Sequence, residues 1–578
     1  MTNLIQRLNL LGQSVWYDNI SRRLLESGEL RALVERGEIS GITSNPAIFQ
    51  NAIAKSKDYD SALITMAWAG YTTEQIYEQL VLEDIRAAAD LFLPIYRATN
   101  GYDGYVSLEV SPRLAYDSTG TLVEARRLWQ LVDRPNLMIK IPGTKEGLKA
   151  VKEAIADGIN VNVTLIFSLK RYREVMEAYL DGIEARLNED KPVGTIASVA
   201  SFFVSRIDSK VDKLLERMMS QGGEDADRAR NLLGKAAVAS GRLAYQQFKE
   251  VFNSERFARL RARGARLQRP LWASTSIKNP AYSDTLYVDN LIGKDTINTM
   301  PPQTLEAFRD HGVVRLTIEE DLAGAQEVFA RLESLGISMK QVTEELEQEG
   351  VKAFLDAFEA LSMTLDKRRS EAQGELGQLA QAVSRRVAEF EVQRFPARLH
   401  TIDPNLWTDN PVGQVEIRQR LGWLNLPERS QKLIPEVERF STEVRKAGFT
   451  HALLLGMGGS SLAPEVMAGV FRSNVDGALQ DGLELRILDS TDPGQVRATM
   501  RWAPTRKTLY IVSSKSGGTA EVNAFLDAFW ARTKRSLGDR AGEHFIAITD
   551  PGTSLEELAR ERGFRRVFLA DPQVGGRF

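Results

Sequence analysis

Lys140 stands inside an apolar run, Leu137-Met138-Ile139-Lys140-Ile141-Pro142. Apolar residues on both sides, closed by a proline, predict a short buried strand. An ammonium group on such a strand loses hydration, which favours the neutral amine. A lysine kept partly neutral can attack a carbonyl and form a Schiff base. The ordinary alternative is a lysine at a strand end, with its stem along apolar surface and its head in water. Other residues of suitable chemistry lie in or just after the C-terminal halves of further predicted strands: Asp18, Asn45, Glu109, Thr164, Ser201 and Ser274; Asn162 shares the strand of Thr164. Together they suit cleavage of a carbon–carbon bond through an imine. Lys140 would attack a ketose carbonyl, and the protonated imine would take up the electrons of the broken bond. Asp18 would take the proton of the hydroxyl at that bond, and Glu109 would act through a water held by Thr164 as the imine forms. Asn45, Asn162 and Ser201 would hold the sugar hydroxyls. Singly, each has a plainer reading: Asn45 before Pro46 is a turn residue, and Asp18 is a cap for a helix starting near Ser21.

A second set lies far along the chain. Gly456-Met457-Gly458-Gly459-Ser460 follows a predicted strand and opens a helix, as does Ser513-Ser514-Lys515-Ser516-Gly517-Gly518-Thr519. Glycines let the backbone approach an anion, and a helix N-terminus attracts one. Gly458, Gly459, Ser460, Ser514, Lys515, Ser516 and Thr519 therefore read as a phosphate cradle. A dinucleotide loop or a plain Ser/Gly turn are the alternatives.

The elements that must position these residues are of two kinds. Strands are predicted over Ser14–Asp18, Ile39–Thr43, Tyr105–Glu109, Leu137–Ile141, Val161–Phe167, Thr195–Ala200, Pro270–Ser274 and Thr296–Met300. Amphipathic helices are predicted between most of them, over Ser21–Arg36, Thr73–Arg97, Lys145–Asp157, Ser168–Leu187 and Asp227–Phe252, with Thr72 and Gln75 as a capping box. Strands alternating with helices over this length predict an α/β fold, a parallel (β/α)8 TIM barrel, whose catalytic groups belong at the C-terminal strand ends. Residues 319–363 read as helical and acidic, with Glu344-Glu345-Leu346-Glu347-Gln348-Glu349 as a solvated face. A boundary is expected near Thr364–Glu375. Beyond it, Ala452–Leu455, Leu485–Leu488, Thr508–Val512 and His544–Ile548 predict an open parallel α/β sheet. The expected organisation is a barrel over 1–365, a helical connection over 366–389 and a sheet domain over 390–578.

Composition narrows the function. The chain has 578 residues, which calls for more than one core. A formal net charge of -3 gives no basis for a nucleic-acid partner, and no apolar stretch approaches a membrane span. Met1–Leu11 lacks the features of a secretory signal. With no cysteine, disulfides and thiol chemistry are excluded, and a cytoplasmic enzyme is expected. The four histidines (His311, His400, His451 and His544) form no pair at metal-ligand spacing, so carboxylates, lysine and water must carry the acid–base work. Oligomeric state is open.

Residues 1–365 resemble the transaldolases. The matching segments are Thr43-Ser44-Asn45-Pro46, Leu137 to Thr144, Asn160 to Ser168, Leu271 to Pro280, Asp284 to Asp289 and Asn298 to Pro301. The resemblance implies that Lys140 is the Schiff-base lysine, Asp18 the acid–base aspartate and Glu109 its carboxylate partner. It also implies that Arg206, in Phe203-Val204-Ser205-Arg206, binds the substrate phosphate with Ser274 and Lys278. This chain has Phe202 where the family often has proline, Ser205 where it has glycine, and Lys278 at a second arginine. The implied reaction moves a dihydroxyacetone unit from sedoheptulose 7-phosphate to glyceraldehyde 3-phosphate, with no metal or organic cofactor. The related fructose-6-phosphate aldolases carry a tyrosine at the place of Phe203; the missing hydroxyl favours transfer over release. Residues 390–578 resemble the first sugar-isomerase (SIS) subdomain of phosphoglucose isomerase, which implies that Arg577 stabilises an enediolate. The family's base and ring-opening histidine would lie beyond Phe578. A truncated fusion with negligible isomerase turnover is therefore expected, to be checked with a glucose-6-phosphate assay. The competing readings are a Schiff-base aldolase and a sugar-phosphate-binding protein with an inert barrel. Borohydride reduction with substrate separates chemistry from binding, and release of free dihydroxyacetone without an acceptor would mark the aldolase.

Overall fold

Eight parallel strands close into a barrel in chain order in the computed structural model, which describes residues 3–472 and 482–574. The strands are β1 (Gln13–Tyr17), β2 (Gly41–Ile42), β3 (Val106–Glu109), β4 (Leu137–Pro142), β5 (Val161–Ile166), β6 (Ser198–Phe203), β7 (Gln268–Ala273) and β8 (Thr296–Met300). Tyr17 pairs with Met300, so β8 meets β1 and the ring has no edge. Every residue of these strands is buried, because side chains pack the lumen on one face and the surrounding helices on the other. At the N-terminal end the lumen is plugged by polar pairs. The Trp16 indole donates to Asp103 Oδ1 at 2.7 Å, and Arg269 Nη2 donates to Ser14 Oγ at 2.6 Å and the Thr296 carbonyl at 2.8 Å.

The helices depart from the sequence reading where glycine interrupts them. The predicted helix over Ser21–Arg36 is two, Arg22–Glu26 and Glu29–Glu35, split at Gly28 with φ +80°. Asp227–Phe252 is likewise broken, into Glu224–Arg230 and Ala236–Phe252, with Gly234 at φ +70° between them. A left-handed φ costs glycine little and ends the helical hydrogen-bond ladder. The Thr72–Gln75 capping box opens the helix Thr73–Ala98. β6 lies about three residues later than predicted: Val193 and Ile196 form a turn, and the apolar run continues to Phe203.

Thr364–Glu375 does not interrupt anything. One helix runs from Met339 to Leu376, and Arg368 anchors it by donating to the carbonyls of Ile53 at 3.0 Å and Ala54 at 2.9 Å. Leu346, Gly350, Phe354, Phe358, Leu361 and Leu365 form its buried stripe at helical spacing. Its acidic run is only partly solvated, since Glu347 pairs with Arg171 at 3.3 Å and Glu345 with Lys210 at 2.6 Å.

By internal contacts the chain divides into Met1–Arg386 and Val387–Phe578. The second unit holds a parallel five-stranded sheet in the order β10-β9-β11-β12-β13. Its strands are β9 (His451–Gly456), β10 (Glu484–Leu488), β11 (Thr508–Ser513), β12 (Phe545–Thr549) and β13 (Arg566–Leu569). Its core mixes leucines and valines with aromatic rings, Tyr510 being stacked on Phe545 at 4.7 Å between centroids.

Candidate active site

Register places the barrel residues. Glu109 pairs with Lys140 across β3 and β4, and Lys140 with Asn162 across β4 and β5. Asn162 Nδ2 donates to Ser107 Oγ on β3 at 3.1 Å, and Ser201 Oγ on β6 donates to Asn162 Oδ1 at 2.7 Å. A bond from β5 to β3 passes over β4 only through the lumen. By the two-residue period of a strand, Glu109, Lys140 and Thr164 share that inward face.

Lys140 is 4% exposed. Its ammonium donates to the Ser44 carbonyl at 2.8 Å, lies 3.4 Å from Glu109 Oε2, and sits 6.0 Å from the centroid of the Phe354 ring. The Ser44 carbonyl is presented by the turn Thr43–Pro46, where Asn45 caps the helix Pro46–Phe49 by accepting from the Ile48 amide at 3.0 Å. Burial pushes the Glu109 carboxyl up to about 7, against the opposing pull of Lys140. Neither carboxyl oxygen of Glu109 has a hydrogen-bond partner, and neither has the buried Thr164 hydroxyl. Such groups are costly unless a bound molecule satisfies them. Asp18, just past β1, accepts from Thr43 Oγ1 at 2.7 Å, and burial holds its carboxyl above the usual range although Thr43, Lys140 and Lys278 pull it down. Two carboxyls therefore flank one amine in a dry mouth.

A second group lies on the opposite wall. Arg206 stands in the first turn of the helix Ser205–Gln221, its guanidinium 5.3 Å from the Phe203 ring centroid. Ser274, at φ +56°, turns its hydroxyl to within 3.0 Å of Ser205 Oγ. Lys278 donates to Ser276 Oγ at 2.8 Å. Burial pushes Arg206 down, and burial together with the Arg206 charge does the same to Lys278, while Asp18 opposes. Arg206 makes no ion pair at contact distance among the described residues, and its charge reaches Lys278, so an anion bound beside them would neutralise two neighbouring cations.

The sequence reading missed three parts of this mouth. Phe354 comes from the 339–376 helix, which crosses the C-terminal strand ends; a Cβ on its Gly350 would lie 3.1 Å from Leu165 Cδ2. That stripe was present in the sequence. The Ser44 carbonyl is backbone and has no residue-type signal. Tyr77, on the helix Thr73–Ala98, packs edge-on against Phe358 at 5.2 Å and lines a cavity with Glu109.

In the second unit, the loops after β9 and β11 lie side by side, since these strands pair. The chain leaves them in opposite directions across the sheet, a topological switch point where α/β sheets bind ligands. Gly459, Ser460 and Lys515 line a cavity of about 700 Å³ there, with Arg429 and Asp550. Gly458 has φ +59° just before the helix Gly459–Arg472. Ser514 Oγ lies 2.9 Å from Thr519 Oγ1, Ser516 Oγ accepts from the Gly518 amide at 3.3 Å, and Lys515 is committed to Asp550. Ser514, Ser516 and Thr519 are not among that cavity's lining residues, and Arg577 lies outside the described residues.

Residues 15–365 match the family model described as transaldolase/fructose-6-phosphate aldolase. The chain belongs to this family. Residues 433–578 match phosphoglucose isomerase. Among curated relatives, a transaldolase of Trichodesmium erythraeum (strain IMS101) is 45% identical over 372 residues, covering 64% of this chain and 98% of that protein. A transaldolase of Thermobifida fusca (strain YX) is 49% identical over 362 residues, covering 62% and 97%. A transaldolase of Mycolicibacterium smegmatis is 48% identical over 355 residues, covering 61% and 94%. The likeness to these transaldolases thus takes in nearly their whole length.

Proposed function

We propose that the barrel transfers a dihydroxyacetone unit between sugar phosphates through an imine on Lys140, with sedoheptulose 7-phosphate as donor and glyceraldehyde 3-phosphate as acceptor. The observation that carries this reading is the 4%-exposed Lys140 amine held 3.4 Å from a Glu109 carboxyl. The amine adds to the ketose carbonyl. Glu109 then protonates the departing hydroxyl, water leaves, and the nitrogen lone pair closes the C=N bond. Asp18 takes the proton of the hydroxyl on the second carbon from the imine carbon, the bond between that carbon and the intervening one breaks, and its electrons enter the imine as an enamine. The aldehyde product leaves, and the acceptor aldehyde reverses these steps. Phe203, which has no hydroxyl, and Phe354 line the mouth with rings, which supports transfer over protonation of the enamine. Arg206 and Lys278 take the phosphate. Borohydride reduction in the presence of fructose 6-phosphate tests the reading: a single adduct on Lys140 is expected, and an unmodified Lys140 would overturn it.

Two expected outcomes follow from this chemistry. Glu109 donates its proton only below about pH 7, so the rate of imine formation should fall as pH rises through that value. Glu109→Gln should remove this descending limb and slow adduct formation by about 100-fold, measured by rapid-quench borohydride trapping across pH. Arg206→Ala should raise KM for the phosphorylated donor by about 10- to 100-fold, the worth of charge-assisted bonds to a phosphate. Steady-state kinetics should show a much smaller change for unphosphorylated dihydroxyacetone as donor.

For the second unit we propose sugar-phosphate binding at the switch point, supported by the cavity that Gly459, Ser460 and Lys515 share. Loss of 6-phosphogluconate binding in Ser460→Asp, measured by calorimetry, is the test; binding unchanged from that of the parent protein would exclude this site.

A further inference from the structure

Glu109 faces two spaces. One is the barrel mouth, where Lys140 lies 3.4 Å from Oε2. The other is a lateral cavity of about 190 Å³ between β3, the helices Thr73–Ala98 and Ser118–Val132, and the 339–376 helix. Of the groups assigned to proton and imine chemistry, Glu109 lines this cavity, and Lys140, Asp18 and Thr164 do not. Its inner wall includes Tyr77, Leu82 and Phe358. At about 30 Å³ per molecule, the volume suits roughly six waters.

The charges around the cavity sort into two groups. Facing Glu109 are Lys140 from β4, Asp18 from β1 and Tyr77 from the Thr73–Ala98 helix. The cavity also carries Glu74, Glu78, Arg113, Glu124 and Arg127, with Arg127 paired to Glu78 at 2.5 Å and to Glu124 at 2.9 Å, and Arg113 paired to Glu359 at 2.8 Å. The rim is thus wettable and carries more carboxylates than guanidiniums, while Val81, Leu82, Leu108, Leu128 and Phe358 make the rest of the lining largely apolar beside the Tyr77 phenol and Ser111. Burial, and secondarily the Glu109 charge, keep that phenol protonated, so it is a hydrogen-bond donor at any working pH. Phe358 fixes its ring edge-on at 5.2 Å.

We propose that this cavity is a side passage through which Glu109 exchanges protons and water with solvent while sugar fills the mouth, and that Tyr77 is the positioning residue that orients water against the Glu109 carboxyl. The passage rests on the imine reading above, because only imine formation and its reversal move water at Glu109. Each imine formed releases one water and consumes one Glu109 proton; each hydrolysis consumes one water and returns the proton. An occupied mouth would otherwise trap the released water beside the imine and favour its return to the carbinolamine.

The test uses the full chain, with fructose 6-phosphate labelled with oxygen-18 at its carbonyl. Label loss reports imine formation and reversal, and borohydride trapping reports the adduct at Lys140. Tyr77→Phe removes one hydroxyl and keeps the ring, whereas Leu82→Phe fills the passage without touching Glu109. Both are expected to lower enzyme-dependent label loss about tenfold. Tyr77→Phe should also shift the descending pH limb upward, because the hydroxyl that orients a water donor toward the carboxylate is lost. A merely structural role for Tyr77 would leave that limb in place. Wild-type label loss and an unmoved limb in both variants, with the adduct still formed, would overturn the passage alone. Absence of the adduct in the unmodified protein would overturn the imine reading itself, and the passage with it.

Discussion

Lys140→Ala should leave a folded barrel with no borohydride adduct and a transfer rate lowered by about 10⁴-fold or more, as when a covalent nucleophile is lost. No other described amine can replace it. Lys278, the other lysine near the mouth, donates to Ser276 and stands beside Arg206 at the anion end, so an imine there would misplace the phosphate. The fold should survive because the substitution removes a buried ammonium together with the charge that pulls Glu109 down. Glu109 then becomes still easier to protonate, so no unpaired carboxylate is stranded near neutral pH. Mass spectrometry of the trapped protein, thermal melting and a coupled assay together check this outcome. A Lys140→Ala protein that still forms an adduct would place the chemistry elsewhere.

Asp18→Asn should separate the two halves of the reaction. Asparagine keeps a side-chain oxygen to accept from Thr43 but cannot take a proton. Carbon–carbon cleavage should therefore slow by about 10²–10⁴-fold, while imine formation at Lys140 persists. The expected signature is a borohydride adduct carrying the whole sugar phosphate, six carbons from fructose 6-phosphate, where the unmodified protein gives the three-carbon fragment. Intact mass resolves the two. A three-carbon adduct formed at the unmodified rate in Asp18→Asn would remove Asp18 from the proton transfer. Burial favours this role, since it raises the Asp18 carboxyl toward the pH at which a base can also return its proton.

The barrel was legible because parallel strands buried on both faces read as short apolar runs, and a polar residue at the end of each run stands out against them. Lys140, Glu109, Asn162 and Thr164 fell on their strands for that reason. Ser201 and Phe203 were placed beyond a predicted strand that in fact contains them, because the turn at Val193–Ile196 has strand-like composition. Composition also hid the 339–376 helix as a wall of the mouth. Its glutamates drew the reading toward solvent, while the Gly350, Phe354 and Phe358 stripe faces inward. β13 was missed because the three apolar residues after an arginine pair form too short a run to stand out. The roles of Ser44 and Tyr77 were out of reach for different reasons. One acts through a carbonyl that every residue has, and the other through a ring whose placement depends on Phe358, nearly 300 positions away.

The helix across the strand ends also bears on when the enzyme can first work during synthesis. Phe354 and Gly350 leave the ribosome after all eight strands, so a nascent chain can close its ring and carry every reactive group while its roof is still unmade. Any imine formed in that interval would be open to water and would discharge its cargo as free triose. On the chemistry proposed above, completing the ring and roofing its mouth are separate events of translation, some fifty residues of chain apart.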